Sequence, residues 1–133
     1  ELEEAPDCCS KQLMDAAELL FPDDSFDNVT FFYTLMYMTT EEQQKSIREA
    51  ARVLKAGKWM HIWDCDICSA YPEPFVIDLD IKSGTHKIHT AYGIVKRDAQ
   101  SSDSIVHLLE NAGLRIESLQ EKDGQFHIQC RKG

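Results

Sequence analysis

Two short runs of β-branched and aromatic residues, 28–33 and 58–64, flank a single amphipathic stretch, and this arrangement limits the fold more than any other feature of the chain. The first run has Val-Thr-Phe-Phe-Tyr as its core, residue types that strands favour. The second is apolar over most of its length, which predicts a strand buried on both faces. Between them Ile47, Ala50, Ala51 and Leu54 recur at helical spacing and form one apolar stripe. Glu41, Gln44, Lys45, Arg48 and Arg52 mark the solvent side of that helix. Thr40 stands where its hydroxyl can cap the first free N–H groups, with Gln43 three residues on to reach back. Gly57 sits where a left-handed residue would end the helix. Strand, helix and strand in this order make a βαβ unit with a right-handed crossover.

The other elements alternate in the same way. Residues 1–12 are polar and suggest no element; a short strand is expected around 12–14, then an irregular stretch, 15–27, rich in turn formers. Residues 76–81 alternate, with Ile77, Leu79 and Ile81 on one face and Asp78 and Asp80 on the other. Lys82-Ser83-Gly84-Thr85 supplies a turn and 86–95 returns, so an inserted hairpin is expected over about 76–95. A second helix, 102–112, carries the stripe Ile105, Leu108, Leu109 and Ala112 and ends at Gly113. Strands at 114–120 and 125–131 are joined around Asp123-Gly124, a strong hairpin signal. The whole reads as one domain, 1–133, built on a mixed α/β sheet with an antiparallel C-terminal strand pair.

A chain of 133 residues that is 43% hydrophobic can bury a sizeable core. The acidic start, Glu1-Leu2-Glu3-Glu4, lacks the basic and apolar character of a signal peptide, and a cytoplasmic location is expected. With 23 acidic against 14 basic residues the formal charge is −9, and no basic cluster offers itself to phosphates. Nucleic acid is therefore not expected as a partner, and a small molecule suits the charge better. The five cysteines read as reduced thiols rather than as a disulfide framework.

Asp15-Ala16 followed by Leu20-Phe21-Pro22-Asp23-Asp24-Ser25-Phe26-Asp27, with Arg48-Glu49-Ala50-Ala51-Arg52-Val53-Leu54-Lys55-Ala56-Gly57 after the next strand, make residues 15–64 resemble the class I S-adenosylmethionine-dependent methyltransferases. In many of these enzymes an Asp-Ala pair ends the third strand and an LPFPD-x-SFD-like segment leads into the fourth. Here that segment is Asp15-Ala16-Ala17-Glu18-Leu19-Leu20-Phe21-Pro22-Asp23-Asp24-Ser25-Phe26-Asp27. The family's RExxRVLKPGG-like helix end is matched by Arg48-Glu49-Ala50-Ala51-Arg52-Val53-Leu54-Lys55-Ala56-Gly57, with Ala56 for the Pro and Lys58 for the second Gly. Leu108-Leu109-Glu110-Asn111-Ala112-Gly113-Leu114 looks like the LLxxAGF lead into the sixth strand. The resemblance implies the C-terminal part of a Rossmann-like methyltransferase sheet, and transfer of a methyl group from S-adenosylmethionine to an acceptor, a small molecule on the charge argument.

By the same resemblance the Asp15 carboxylate accepts from the adenine amino group and the Ala16 N–H meets a ring nitrogen. Phe32, Tyr33 and Leu35 would line the cofactor pocket beyond the next strand. Taken alone, Asp15 reads as a turn cap and the other three as core. On the acceptor side stand Tyr37, Asp64, Asp66 and the hairpin with His86, His89 and Tyr92; His89 and Asp64 are the candidates for proton transfer, since histidine titrates near neutrality. A solvated strand histidine is the plainer account of His89. The family's glycine-rich cofactor loop has no counterpart, because the six glycines, Gly57, Gly84, Gly93, Gly113, Gly124 and Gly133, are all far apart. Without the family's first strand beside it, the strand at 28–33 would offer an open apolar edge. Self-association through that edge, or origin in a longer protein, is expected.

Two other function classes remain open on the sequence. The missing loop suits a methyltransferase-like module that binds a partner without catalysis. Cys65-Asp66-Ile67-Cys68 has zinc-ligand spacing, with Cys8, Cys9 or His61 to complete a set, though one C-x-x-C is little and the resemblance requires no metal.

Overall fold

Alternation along the strands decides which face of the sheet becomes the core. The computed structural model describes residues 2–68 and 72–133. Its elements are β1 (Phe26–Phe32), a 3-10 turn (Leu35–Tyr37), α1 (Thr40–Val53), β2 (Leu54–Cys65), β3 (Phe75–Ser83), β4 (His86–Ile94), α2 (Ser102–Asn111), β5 (Leu114–Lys122) and β6 (Gln125–Lys132). Four strands form one sheet in the order β1-β2-β6-β5, and β3 and β4 form a separate antiparallel pair. β1 runs parallel to β2, while β2–β6 and β5–β6 are antiparallel. The βαβ unit, the inserted hairpin and the terminal antiparallel pair all appear where the sequence patterns put them.

Phe31, Met60, Ile62, Phe126, Ile128 and Cys130 point to one face and are buried there under Ile47, Ala50, Ala51, Ile105 and Leu109 of the two helices. Both helices thus cover the same face. The opposite face carries Trp59, His61 and Trp63 on β2 and His127 and Arg131 on β6, all only partly buried. The expectation that the second strand is buried on both faces is corrected: helices cover one side of it only.

A second, smaller core lies between the hairpin and the sheet. Ile77, Leu79 and Ile94 close there on Met36, Cys65 and Ile67. The 3-10 turn joins the two cores, since Leu35 enters the first and Met36 the second, each fully buried.

Three local expectations also shift. Residues 12–14 form no strand, because a strand needs a ladder partner and they pair with none among the described residues. The helix cap is Thr39 rather than Thr40: its hydroxyl accepts from the Glu42 N–H and the Glu42 carboxylate accepts from the Thr39 N–H, both at 3.2 Å. Each threonine has a capping partner three residues on, but a carboxylate suits the positive helix N-terminus better than an amide. Gln43 is instead buried, its amide donating to the Leu35 carbonyl and to Gln100 Oε1. Gly57, at φ +74, lies after the helix has ended, within β2. There the register runs from Phe26↔Leu54 to Asn28↔Trp59, so a few residues of β2 bulge outward, and glycine takes the left-handed position at no steric cost. No helix among the described residues is long and apolar enough to cross a membrane.

Candidate active site

Parallel strands leave their carboxyl ends free to meet a ligand, and β1 and β2 end side by side. At that rim Tyr33 leaves the strand with φ +49, a conformation that costs a non-glycine residue about 1 kcal/mol or more. It is held there at both ends. Its N–H donates to the Trp63 carbonyl and its hydroxyl to Gln125 Oε1, each at 2.8 Å. Burial, with Cys65 and Asp64 nearby, raises the phenol's pKa, so it remains a proton donor at neutral pH.

Asp64, the next residue along β2 from Trp63, is fully buried. Its carboxylate accepts from the Cys65 N–H at 2.9 Å, from Gln100 Nε2 at 2.8 Å and from the Met36 N–H at 3.2 Å. Burial raises its pKa, and these donors oppose the rise. The Cys65 thiol is likewise pushed up to about 12 by burial beside Asp64. One carboxylate therefore ties the end of β2, the 3-10 turn and the segment before α2 together. Asp66 continues the pattern, accepting from the Ser102 N–H at the start of α2 at 3.0 Å.

The aromatic face runs up to this rim. His61 and Trp63 stack at 5.5 Å between centroids, and His127 lies almost parallel to Trp63 at 4.2 Å and 8°. His61 Nδ1 and His127 Nε2 are 3.3 Å apart. Burial and the neighbouring His61 hold the His127 pKa below the ordinary histidine range, so its ring is neutral near pH 7. At the far end the Arg131 guanidinium sits 4.3 Å over the Trp59 ring.

A cavity of about 730 Å³ opens between the sheet rim, the β5–β6 turn and the hairpin. Tyr33, Trp63 and His127 make one wall. Asp78 and Asp80 of β3, Glu121 at the end of β5 and Asp123 of the β5–β6 turn are its acidic lining residues, with Lys122 beside them.

The residues singled out from the sequence fall in different places. Phe32 is 48% exposed at the end of β1, its ring 5.9 Å from Trp63, free to meet a ligand. Leu35 is wholly buried in the helix-covered core, which leaves its side chain no ligand to touch. Asp15 is exposed, and its carboxylate caps its own turn by accepting from the Ala17 N–H at 2.8 Å. Ala16 is half-buried in that turn. Asp15 and Ala16 do not line the cavity; of the five cofactor-side residues only Tyr33 does. His89 is exposed on β4, with Nδ1 2.8 Å from Asp80, and that carboxylate raises its pKa. Tyr92 lies edge-on to Tyr37 at 6.4 Å, and His86 is exposed at the start of β4. Cys65 is buried while Cys68, Cys8 and Cys9 are exposed, and among the described residues no three His, Cys, Asp or Glu side chains converge as metal ligands.

Sequence reasoning missed Trp63, His127 and Gln100, and took Gln43 for a capping partner only. The Trp-Met-His-Ile-Trp alternation could have put Trp59, His61 and Trp63 on one strand face. His127 and Gln100 reach their partners only through long-range pairing, which no local pattern carries.

Known proteins agree with this architecture. The family model of the methyltransferase domain matches residues 2–62. An S-adenosylmethionine-dependent methyltransferase from Mesorhizobium loti superposes with a TM-score of 0.65 at 15% identity, covering 98% of this chain and 73% of that one. One from Methanosarcina mazei gives 0.63 at 17% identity over 96% and 72% of the two chains. One from Clostridium acetobutylicum gives 0.63 at 14% identity over 92% and 64%. The chain thus shares the fold of S-adenosylmethionine-dependent methyltransferases and matches the methyltransferase domain over residues 2–62. The fold match takes in the hairpin and both terminal strands, well beyond the residues matched by sequence. The chain spans roughly two thirds of the length of those solved structures, between 64% and 73% of each. No curated protein matches its sequence.

Proposed function

We propose that this chain supplies the acceptor side, and the adenine-facing part of the cofactor side, of a site for S-adenosylmethionine-dependent methyl transfer to a small molecule. The observation that carries this reading is the cavity at the carboxyl ends of β1 and β2, with a strained tyrosine at its edge. S-adenosylmethionine, when bound, supplies an electrophilic methyl group on a sulfonium. The chain's own part is positioning, which converts a two-body reaction into one between held groups.

Phe32, with its exposed ring, and the Asp15–Ala16 turn are the groups suited to the adenine. One oxygen of Asp15 stays open to an amino group while the other caps the turn. Tyr33 stands between the two sides: its backbone turns away from the strand and its side chain lines the acceptor cavity. Leu35 acts only by fixing the 3-10 turn from within the core. Asp64 acts as a positioning residue, since its oxygens are occupied by donors and it is closed off from solvent. His89, on the solvent side of the hairpin, pairs with Asp80.

Calorimetric titration of this chain with S-adenosylmethionine tests the reading, alongside Asp15→Ala. Binding in the micromolar range, weakened tenfold or more by the substitution, is the expected result. Absence of heat with the folded chain refutes a cofactor site on these residues. It favours instead a methyltransferase-like module without catalysis.

A further inference from the structure

The cavity's two sides carry different chemistry. One is a wall of rings, Trp63 stacked on a neutral His127 with Tyr33 beside them. The other is acidic: Asp78, Asp80, Glu121 and Asp123 against one cation, Lys122. These carboxylates come from two separate hairpins, β3–β4 and β5–β6, which the fold brings to one opening. Part of the charge is already engaged, because His89 bonds Asp80 and lies 3.6 Å from Asp78, and Glu121 accepts from the Ser102 hydroxyl. Asp123, which also lines the cavity, has no such partner among the hydrogen bonds of the described residues.

A ring face attracts an organic cation, and the attraction grows as water is excluded. Carboxylates across the cavity add to the same preference and oppose any anion. The volume suits a small ligand, since pockets for such molecules run from about 300 to 1,000 Å³.

We infer that this cleft takes a small cationic amine, seated with its planar or alkyl part on the Trp63–His127 wall and its charged nitrogen toward Asp78, Asp80 and Glu121. The inference rests on the methyl-transfer reading, and it names the acceptor class as amines rather than phenols, carboxylates or phosphorylated compounds. The ammonium form binds and gives up one proton to solvent at the open cleft. The freed nitrogen lone pair then takes the methyl as the sulfonium S–C bond breaks to leave the thioether. Anions of the same size are repelled by the acidic side, and neutral molecules gain nothing from it.

Benzylamine and benzyl alcohol, nearly equal in shape and different in charge, separate the possibilities. The two tryptophans give two indole N–H signals in proton–nitrogen correlation spectra, and a Trp59→Phe variant assigns them. Benzylamine is expected to shift the Trp63 signal saturably and leave Trp59 in place. Benzyl alcohol should bind at least tenfold more weakly, and sodium benzoate should produce no shift. Glu121→Gln and the Asp78→Asn, Asp80→Asn pair, each with an unchanged spectrum elsewhere, should each weaken benzylamine several-fold and leave benzyl alcohol unchanged. Equal shifts from benzylamine and benzyl alcohol, or a Trp63 signal that never moves, overturn the inference. S-adenosylmethionine binding without an amine preference sinks this inference alone. An amine preference without S-adenosylmethionine binding upholds the cleft and refutes the methyl-transfer reading.

Discussion

Replacing Asp64 by alanine leaves three donors, the Met36 and Cys65 N–H groups and the Gln100 amide, facing a space closed to solvent. A buried donor without a partner costs about 1–3 kcal/mol, so the loss is about 3 kcal/mol at the low end. With a urea slope of about 1–3 kcal/mol per molar, that moves the unfolding midpoint down by about 1–3 M. Asp64→Asn is milder, because Oδ1 can still accept from Cys65 and Gln100 while the new NH2 faces the Met36 N–H. The pH dependence separates charge from hydrogen bonding. Burial raises the carboxyl's pKa in the folded chain, so its ionised form is less stable folded than unfolded. Relative to Asp64→Asn, the parent chain is therefore at its best below the ordinary aspartate value. It loses ground as the pH rises from there through the folded value, by at most about 1.4 kcal/mol per unit. Urea titrations followed by tryptophan fluorescence from pH 4 to pH 8 read both effects. A parent chain that gains on Asp64→Asn as the pH rises refutes the argument, since the carboxylate would then be stabilised by its donors more than it is penalised by burial.

Other outcomes follow from the same geometry. Thr39→Ala should lower stability by about 1 kcal/mol, the usual value of a helix cap, and Thr40→Ala by clearly less. Thermal unfolding of the two variants decides between them, and a larger loss at Thr40 would count against the observed capping box. We further propose self-association through β1, which pairs with β2 on one side only. Light scattering over a hundredfold concentration range should find a dimer, and a constant monomer mass rejects it.

Much of the fold was legible because its signals are local. The helix stripe of Ile47, Ala50 and Ala51, the alternation of Ile77, Leu79 and Ile81 and the Asp123-Gly124 turn each depend on residues a few positions apart. The same locality explains the one-residue slip of the cap, since two adjacent threonines both satisfy the capping pattern. Leu35 shows where the candidate site was not legible. An apolar residue just beyond a strand reads alike whether it lines a pocket or fills a core, and only the covering helices made it core.

The sequence by itself determined most of the order and kind of elements and carried the likeness to a methyltransferase domain over residues 2–62. Tertiary structure decided what the elements do at their meeting points. It covered one face of the sheet with both helices and left Trp59, His61 and Trp63 half open on the other. It set His127 on Trp63 through the β2–β6 register and drew acidic residues from two hairpins to one cavity. It turned Asp64 from a rim carboxylate into a buried tie between three segments. The physical reason is range: backbone propensity and side-chain periodicity act over a turn or two. Burial, stacking and shared charge depend on residues tens of positions apart, and these meet only when the chain is packed.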